Sequence, residues 1–199
     1  MKSAIALISG GIDSPVAAKM MKDKMGLIGL HFSIYPLSDN EPEEKARAAC
    51  KKLGIRFITI NVAKEFKDIS EQCNRKFYFV LSKRLMMRIA EALAKKLKAD
   101  YIITGENLGQ VSSQTGQNLH IIDKAVNIPI LRPLIGLDKN EIIHLSKKYK
   151  LFEISNCKEA CAILGGDKPS TRARLAQILE EEEKIETDVK NIVNSTGEF

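Results

Sequence analysis

Short apolar runs alternate along the chain with longer stretches in which apolar side chains recur at helical spacing. The runs predict strands near residues 3–8, 26–32, 56–61, 101–104 and 129–131, and the stretches predict helices near 14–24, 41–53, 65–72, 80–97 and 139–149. Strands and helices taking turns in this way predict an α/β fold, a parallel sheet joined by crossover helices. The helix over 41–53 has the clearest ends. Pro42 stands in its first turn, where a missing N–H costs nothing, and Gly54 stands just past its last residue. Ala99-Asp100 marks the turn into the fourth strand, which ends at Gly105. A doubly wound sheet places its ligand loops at such strand carboxyl ends.

Composition narrows this picture. With 44% hydrophobic residues, 199 positions suffice for one full core. The chain reads as a single domain over residues 1–176 followed by an acidic helical tail over 177–199, solvated and fraying before Ser195. It has no run of about 18 apolar residues to span a membrane, and Lys2 followed by a strand and a glycine turn does not make a signal peptide. A soluble cytoplasmic protein without a membrane partner is expected. The cysteines Cys50, Cys73, Cys157 and Cys161 suit catalytic, redox or metal roles better than a secreted disulfide framework. Cys50, facing Ala46 and Gly54 within a helix, reads as a small buried hydrophobe.

The net charge of +6 is unevenly spread. Residues 176–199 hold seven acids against two lysines, a local balance of −5, which leaves +11 on residues 1–175. That excess suits a polyanion such as a nucleic acid, and equally a lysine-rich solubilising surface.

The candidate chemistry begins directly after the first apolar run. Ser9-Gly10-Gly11-Ile12-Asp13-Ser14 sets consecutive glycines between a strand and a helix, where the backbone can approach a phosphate while serine hydroxyls and the first N–H groups of the helix meet the anion. The segment lacks the Lys-Ser/Thr ending of a Walker loop and the third glycine of a dinucleotide fingerprint. A second polar run, Thr104 to Thr115, follows the fourth strand. In it Gly105 would allow close approach to a ribose, and Gln110 and Gln114 offer donor and acceptor edges to a base or sugar. Taken alone, it also reads as a glycine-rich surface loop with a helix cap at Ser112 or Ser113.

The hexapeptide resembles the PP-loop of ATP pyrophosphatases, enzymes that cleave ATP between its α and β phosphates. Add His31-Phe32 ending the second strand, Lys83-Arg84 in a Met-rich helix, the run Thr104 to Thr115, and Leu131-Arg132-Pro133-Leu134 followed by Asp138-Lys139. The ordered set resembles the catalytic domain of tRNA 4-thiouridine synthetases, the tRNA sulfurtransferases, from about Lys2 to Ala176. The resemblance implies a Rossmann-like adenine nucleotide α-hydrolase (PP-loop ATP pyrophosphatase) fold, a parallel sheet flanked by helices. It also implies ATP-dependent thiolation of tRNA, in which a uridine oxygen is adenylated and sulfur then displaces AMP.

By the same resemblance, Leu7, Ile8, His31 and Phe32 line the adenine and ribose pocket, Ser9, Gly10, Gly11, Asp13 and Ser14 hold the phosphates, and Lys83, Gly105 and Gln114 complete the nucleotide contacts. Lys83 or Arg84 can meet phosphate charge. His31 is read as a satisfied structural histidine with no acid or base role. Asp13 is read as a ligand of Mg²⁺ or an orienter of the departing pyrophosphate, and Lys139 matches a family lysine needed for adenylation, with Arg132 as an assistant. Cys161 matches the family cysteine of persulfide-dependent transfer, with Cys157 as its candidate pair.

ATP and Mg²⁺ are the implied cofactors. The implied partners are tRNA and a sulfur donor, sulfide or a persulfide carrier. Oligomeric state is left open, a homodimer included. The matched stretch contains no ferredoxin-like, THUMP or rhodanese segment, so a stand-alone catalytic domain served by a separate THUMP-type protein is expected. Where cluster-bearing relatives have a cysteine pair, this chain has Phe79 and Ser82, and no protein metal ligands are assigned. Three rival readings stand beside this one: sulfur transfer to a small molecule or carrier protein, a nucleotide-binding subunit of a larger complex, and a cluster-dependent variant that uses Cys73, Cys157 and Cys161.

Overall fold

The computed structural model describes residues 2–155, 164–166 and 168–195. Five strands, β1 (Ser3–Leu7), β2 (Gly26–Ser33), β3 (Arg56–Asn61), β4 (Tyr101–Ile103) and β5 (Ile130–Leu131), form one sheet in the order β3-β2-β1-β4-β5. Every neighbouring pair is parallel. The α-helices are α1 (Asp13–Lys22), α2 (Glu41–Leu53), α3 (Ala63–Gln72), α4 (Tyr78–Leu97), α5 (Gly116–Asp123), α6 (Lys139–Lys148), α7 (Leu175–Glu182) and α8 (Val189–Asn194). From β1 the chain winds outward through β2 and β3, then crosses back over α4 to β4 on the other side. The winding therefore reverses between β1 and β4, and the loops leaving those two strands part to leave a crevice. The register sets Ala6 beside Ile103, which in turn pairs with Leu131, so β1, β4 and β5 end close to one level, whereas Leu7 pairs with Leu30 and β2 runs three residues further, to Ser33 beside Asn61 of β3.

The alternation of side chains along β1 divides the interior. Ile5 and Leu7 join the cluster built with α3, α4, α5, α7 and α8, whereas Ala4, Ala6 and Ile8 join the one built with α1, α2 and α6. Ala17 and Ala18 of α1 share that second cluster, and small side chains on both elements let helix and sheet approach closely. Gly29 of β2 has the same purpose, since a Cβ there would lie 2.5 Å from Cys50 Sγ. Cys50 is fully buried, as its helical position suggests, and burial pushes its thiol up to about 12.

The expected strands and helices are present, with shifted ends. The third helix starts at Ala63 instead of residue 65 because Asn61 Oδ1 accepts from Ala63 N at 2.9 Å. The fourth starts at Tyr78, continuing a 3₁₀ turn (Arg75–Phe77) whose N-cap, Asn74, accepts from Lys76 N. Helix α5 is missing from the periodicity reading. Its apolar face is only a few residues long, and what starts it is a cap, Thr115 Oγ1 accepting from Asn118 N at 3.2 Å.

The acidic tail departs most from expectation. It is two helices rather than one solvated helix, and both dock on α4. Ile178 and Val193 are buried in the main core, and Glu182 Oε1 and Oε2 accept from Arg84 Nε at 2.8 Å and from its NH2 at 3.0 Å. Apolar positions scattered among so many acids give little periodic signal. No described helix is long and apolar enough to cross a membrane.

Candidate nucleotide site

A cleft of about 410 Å³ opens at the carboxyl ends of β1, β2 and β4, where the winding reverses. Its lining includes Leu7, Ile8, Ser9, Gly10, Gly11, Asp13, Ser14, His31, Phe32, Lys83, Gly105 and Gln114, all expected at a nucleotide site. The glycine–serine loop closes on itself. Ser9 N donates to Ser14 Oγ at 2.8 Å, the two hydroxyls lie 3.1 Å apart, and Gly11 N donates to Ser9 Oγ at 3.3 Å. Helix α1 follows with Ile12 as N-cap and no side-chain cap among the described residues, which leaves its first-turn N–H groups beside the cleft for a ligand.

Gly105 also has a packing reason to be glycine. A Cβ there would lie 2.6 Å from Ser14 N and 2.7 Å from Ser14 Cα, so the missing side chain admits the backbone of α1. That contact fixes the end of β4 against the loop after β1.

His31 Nδ1 lies 2.8 Å from Ile8 O, and since a carbonyl only accepts, Nδ1 carries the proton. Burial is the main cause that holds its pKa below the usual value, with the bond to Ile8 opposing. This is the satisfied structural histidine expected, set in the cleft wall. Gln114, 8% exposed, presents an Oε1 with no hydrogen-bond partner among the described residues, an acceptor suited to a ligand's hydroxyl or amino group. Gln110 is not among the lining residues.

At the cleft's lip Lys139 Nζ donates to Asp13 Oδ1 at 2.7 Å. Lys139 opens α6, whose start is fixed by a capping box between Asp138 and Glu141. Arg84 does not face the cleft: besides Glu182 it binds Ile121 O at 2.6 Å, so only Lys83 of the Lys83-Arg84 pair can meet a phosphate there. Arg132 is likewise engaged elsewhere, with Glu106 and Asp123. Glu106, buried in the cleft wall and bonded to Lys83 at 2.8 Å, went unrecognised in the sequence. The one signal for it was a lone acid at the carboxyl end of a strand.

Phe79 and Ser82 line the cleft, and among the described residues no group of three or more histidine, cysteine or acidic side chains is placed to hold a metal ion. Cys73 is buried, its Sγ donating to Glu181 O at 3.3 Å, and burial is the main cause raising its pKa. Cys157 and Cys161 lie outside the described residues.

A parallel β3-β2-β1-β4-β5 sheet with a glycine–serine loop at its switch point defines the class as a PP-loop ATP pyrophosphatase fold. Within that class the chain belongs to the family described as Thiamine biosynthesis protein (ThiI), whose model matches residues 1–187. It is 40% identical over 191 residues to a probable tRNA sulfurtransferase of Thermoanaerobacter pseudethanolicus, covering 92% of this chain and 50% of that protein. A probable tRNA sulfurtransferase of Finegoldia magna is 37% identical over 192 residues, covering 92% and 49%. The chain thus spans about half the length of the curated relatives it matches. Among solved structures, a 4-thiouridine synthetase in complex with RNA and ATP superposes with a TM-score of 0.89 at 30% identity, over 98% of this chain and 53% of that one. NMN synthetase from Francisella tularensis, at 16% identity and a TM-score of 0.62 over 98% of this chain and 84% of that one, shares the fold.

Proposed function

We propose that this chain is the ATP-using domain of a tRNA sulfurtransferase that makes 4-thiouridine. The observation that carries the reading is the Lys139–Asp13 pair at the lip of a nucleotide-sized cleft floored by the Ser9–Ser14 loop. Family membership and the likeness to an ATP-bound 4-thiouridine synthetase support it.

In this reading the triphosphate lies along the loop and the first turn of α1, where N–H and hydroxyl donors meet it. Leu7, Ile8, His31 and Phe32 face the adenosine, and the unpartnered Gln114 Oε1 accepts a hydroxyl or amino proton from it. Asp13 binds Mg²⁺ or orients the pyrophosphate; one carboxylate suits Mg²⁺, which takes its remaining ligands from phosphates and water. When bound, Mg²⁺ neutralises charge on the triphosphate.

The uridine oxygen attacks the α-phosphorus, the bond to the bridging oxygen breaks, and pyrophosphate leaves. Lys139 stabilises the charge that develops. A sulfur nucleophile then adds at the activated ring carbon, and AMP departs with the original oxygen. Sulfide adds directly. With a persulfide carrier the outer sulfur passes to Cys161, the proposed thiol, whose persulfide adds. A second thiol, Cys157 or an external thiol reductant, then attacks the Cys161 sulfur, breaks the S–S bond and leaves the thiolated base with a disulfide that a thiol reductant reopens. Cys50 and Cys73 are unsuited, because buried thiols with raised pKa values form little thiolate. The basic excess on residues 1–175 would hold tRNA in the cytoplasm, with a THUMP-type segment and a second copy of the chain as further proposed partners.

A second reading, sulfur transfer to a small molecule or carrier protein, is favoured by the thiamine biosynthesis in the family's description. Pyrophosphate release from ATP separates the two when unmodified tRNA and a carrier protein are supplied in turn with a sulfide donor. The first reading requires release with tRNA, and 4-thiouridine in its nucleosides by mass spectrometry. Release with the carrier alone supports the second, and none with either leaves a nucleotide-binding subunit.

A further inference from the structure

Behind the cleft lies a row of alternating charges that the proposed chemistry leaves unused. Glu106, 4% exposed, follows Gly105 at the end of β4. Its Oε1 accepts from Lys83 Nζ at 2.8 Å, and its Oε2 accepts from Arg132 Nε at 2.9 Å and Thr104 Oγ1 at 3.2 Å. The rest of the Arg132 guanidinium donates to Asp123 at 3.2 and 2.5 Å. Lys83 and Glu106 line the cleft, whereas Arg132 and Asp123 are not among its lining residues. Burial opposes ionisation of Glu106, but the charges of Lys83 and Arg132, with the hydrogen bonds they donate, outweigh it and hold the carboxyl below the usual value.

A carboxylate this deeply buried is costly unless every lone pair is used. As a plain wall of the cleft an apolar side chain would serve better. What Glu106 adds is a fixed location for an ammonium. Lysine reaches its partner through a flexible stem, but Arg132 and Thr104 lock Glu106 from behind, and Lys83 is tied to it. That location matters because Lys83 and Glu106 line the same cleft as Gly10, Gly11, Asp13 and Ser14, and Gly105, next to Glu106, rests on the backbone of Asp13 and Ser14.

We propose that Glu106 is a positioning residue, fixing the Lys83 ammonium at the phosphate end of the cleft so that the triphosphate meets a placed charge rather than a mobile one. This rests on the ATP reading of the cleft and adds to it a residue that does not itself touch the nucleotide's phosphates. The ammonium carries three donors, so Glu106 and a phosphate oxygen can bind it at the same time. Prepaying the ordering of Lys83 in the free protein raises affinity for the charged part of the ligand alone.

Calorimetric titration of the full chain with ATP and with adenosine tests this. Glu106→Gln should weaken ATP binding roughly tenfold or more, the scale of one charge-assisted hydrogen bond, and leave adenosine within about twofold. Glu106→Asp keeps the charge but draws it back by one methylene, so it should show a smaller loss confined to ATP. Equal losses for ATP and adenosine would reduce Glu106 to a wall, and unchanged or tighter ATP binding would make it a competitor for Lys83; either overturns the proposal. Should Glu106→Gln fail to fold, Lys83→Met and the double variant Lys83→Met/Glu106→Gln, which removes the two charges together, must bind ATP equally. Weaker ATP binding by the double variant overturns the proposal. A wild-type chain that binds neither ATP nor adenosine sinks the reading of the cleft itself, an outcome recognised before any variant is compared.

Discussion

Lys139 reaches across 126 residues of sequence to place its ammonium 2.7 Å from Asp13 Oδ1, joining the first turn of α6 to the first turn of α1 at the lip of the cleft. The side chains are 50% and 22% exposed, so the pair contributes at most about 1 kcal/mol to folding. Its value is chemical. Asp13→Ala and Lys139→Ala should melt close to wild type yet lose roughly 10²–10³-fold in adenylation, the scale of removing one transition-state charge. ATP–pyrophosphate exchange in the presence of tRNA measures this, and a folded variant exchanging at the wild-type rate counts against the assigned roles.

Gly105 and Gly116 make a paired test of packing. A methyl group at Gly105 meets the Ser14 backbone at 2.6 Å, whereas at Gly116, the first residue of α5, nothing lies within 4 Å. Gly105→Ala should cost about 1–3 kcal/mol and weaken nucleotide binding, because the start of α1 must shift. Gly116→Ala should be neutral or stabilise by up to about 1 kcal/mol. Urea denaturation distinguishes them, and equal midpoints would mean that the β4–α1 contact is soft.

The tail tests differently. Arg84 is 3% exposed and depends on Glu182 for two hydrogen bonds. Glu182→Ala strands a buried guanidinium and should destabilise by roughly 3–5 kcal/mol, while the double variant Arg84→Met/Glu182→Leu should recover most of that loss. An exposed, unpacked tail would give less than about 0.5 kcal/mol.

His31 sets a pH dependence. Its folded pKa lies below the unfolded value of 6.5, so the unfolded chain binds the proton more readily as pH falls. The stability contributed by neutral His31 is fully present above pH 6.5 and is lost as pH falls toward and through the lower folded pKa, with a slope of at most about 1.4 kcal/mol per pH unit. Urea midpoints from pH 8 to 5 should show this acid limb in the wild type and a flatter one in His31→Asn. Parallel profiles would assign the limb to another group.

If the +11 excess on residues 1–175 holds tRNA, log affinity should fall linearly with log salt, by about 0.9 per phosphate neutralised in duplex regions. Filter binding at graded salt reads the slope. A flat line would leave the basic surface as a solubilising one.

Much of this protein is written locally. The ends of α2 are legible because Pro42 and Gly54 act on their own turns, and all of β3 is legible because period-two burial needs no knowledge of its neighbours. The Ser9–Ser14 loop is legible for the same reason: two glycines and two serines between a strand and a helix can make a phosphate cradle without help from elsewhere. The tertiary structure alone decided the pairings between residues distant in sequence: Arg132 with Glu106, 26 positions apart, Arg84 with Glu182, 98 apart, and Lys139 with Asp13. It also turned Lys83 into the cleft and Arg84 away from it, and set Gly105 against the backbone at the start of α1. Periodicity and capping are short-range, set within a few residues by backbone sterics and hydrogen bonds. The partner of a buried charge depends on which strands become neighbours, and sheet order is set only when the whole core packs.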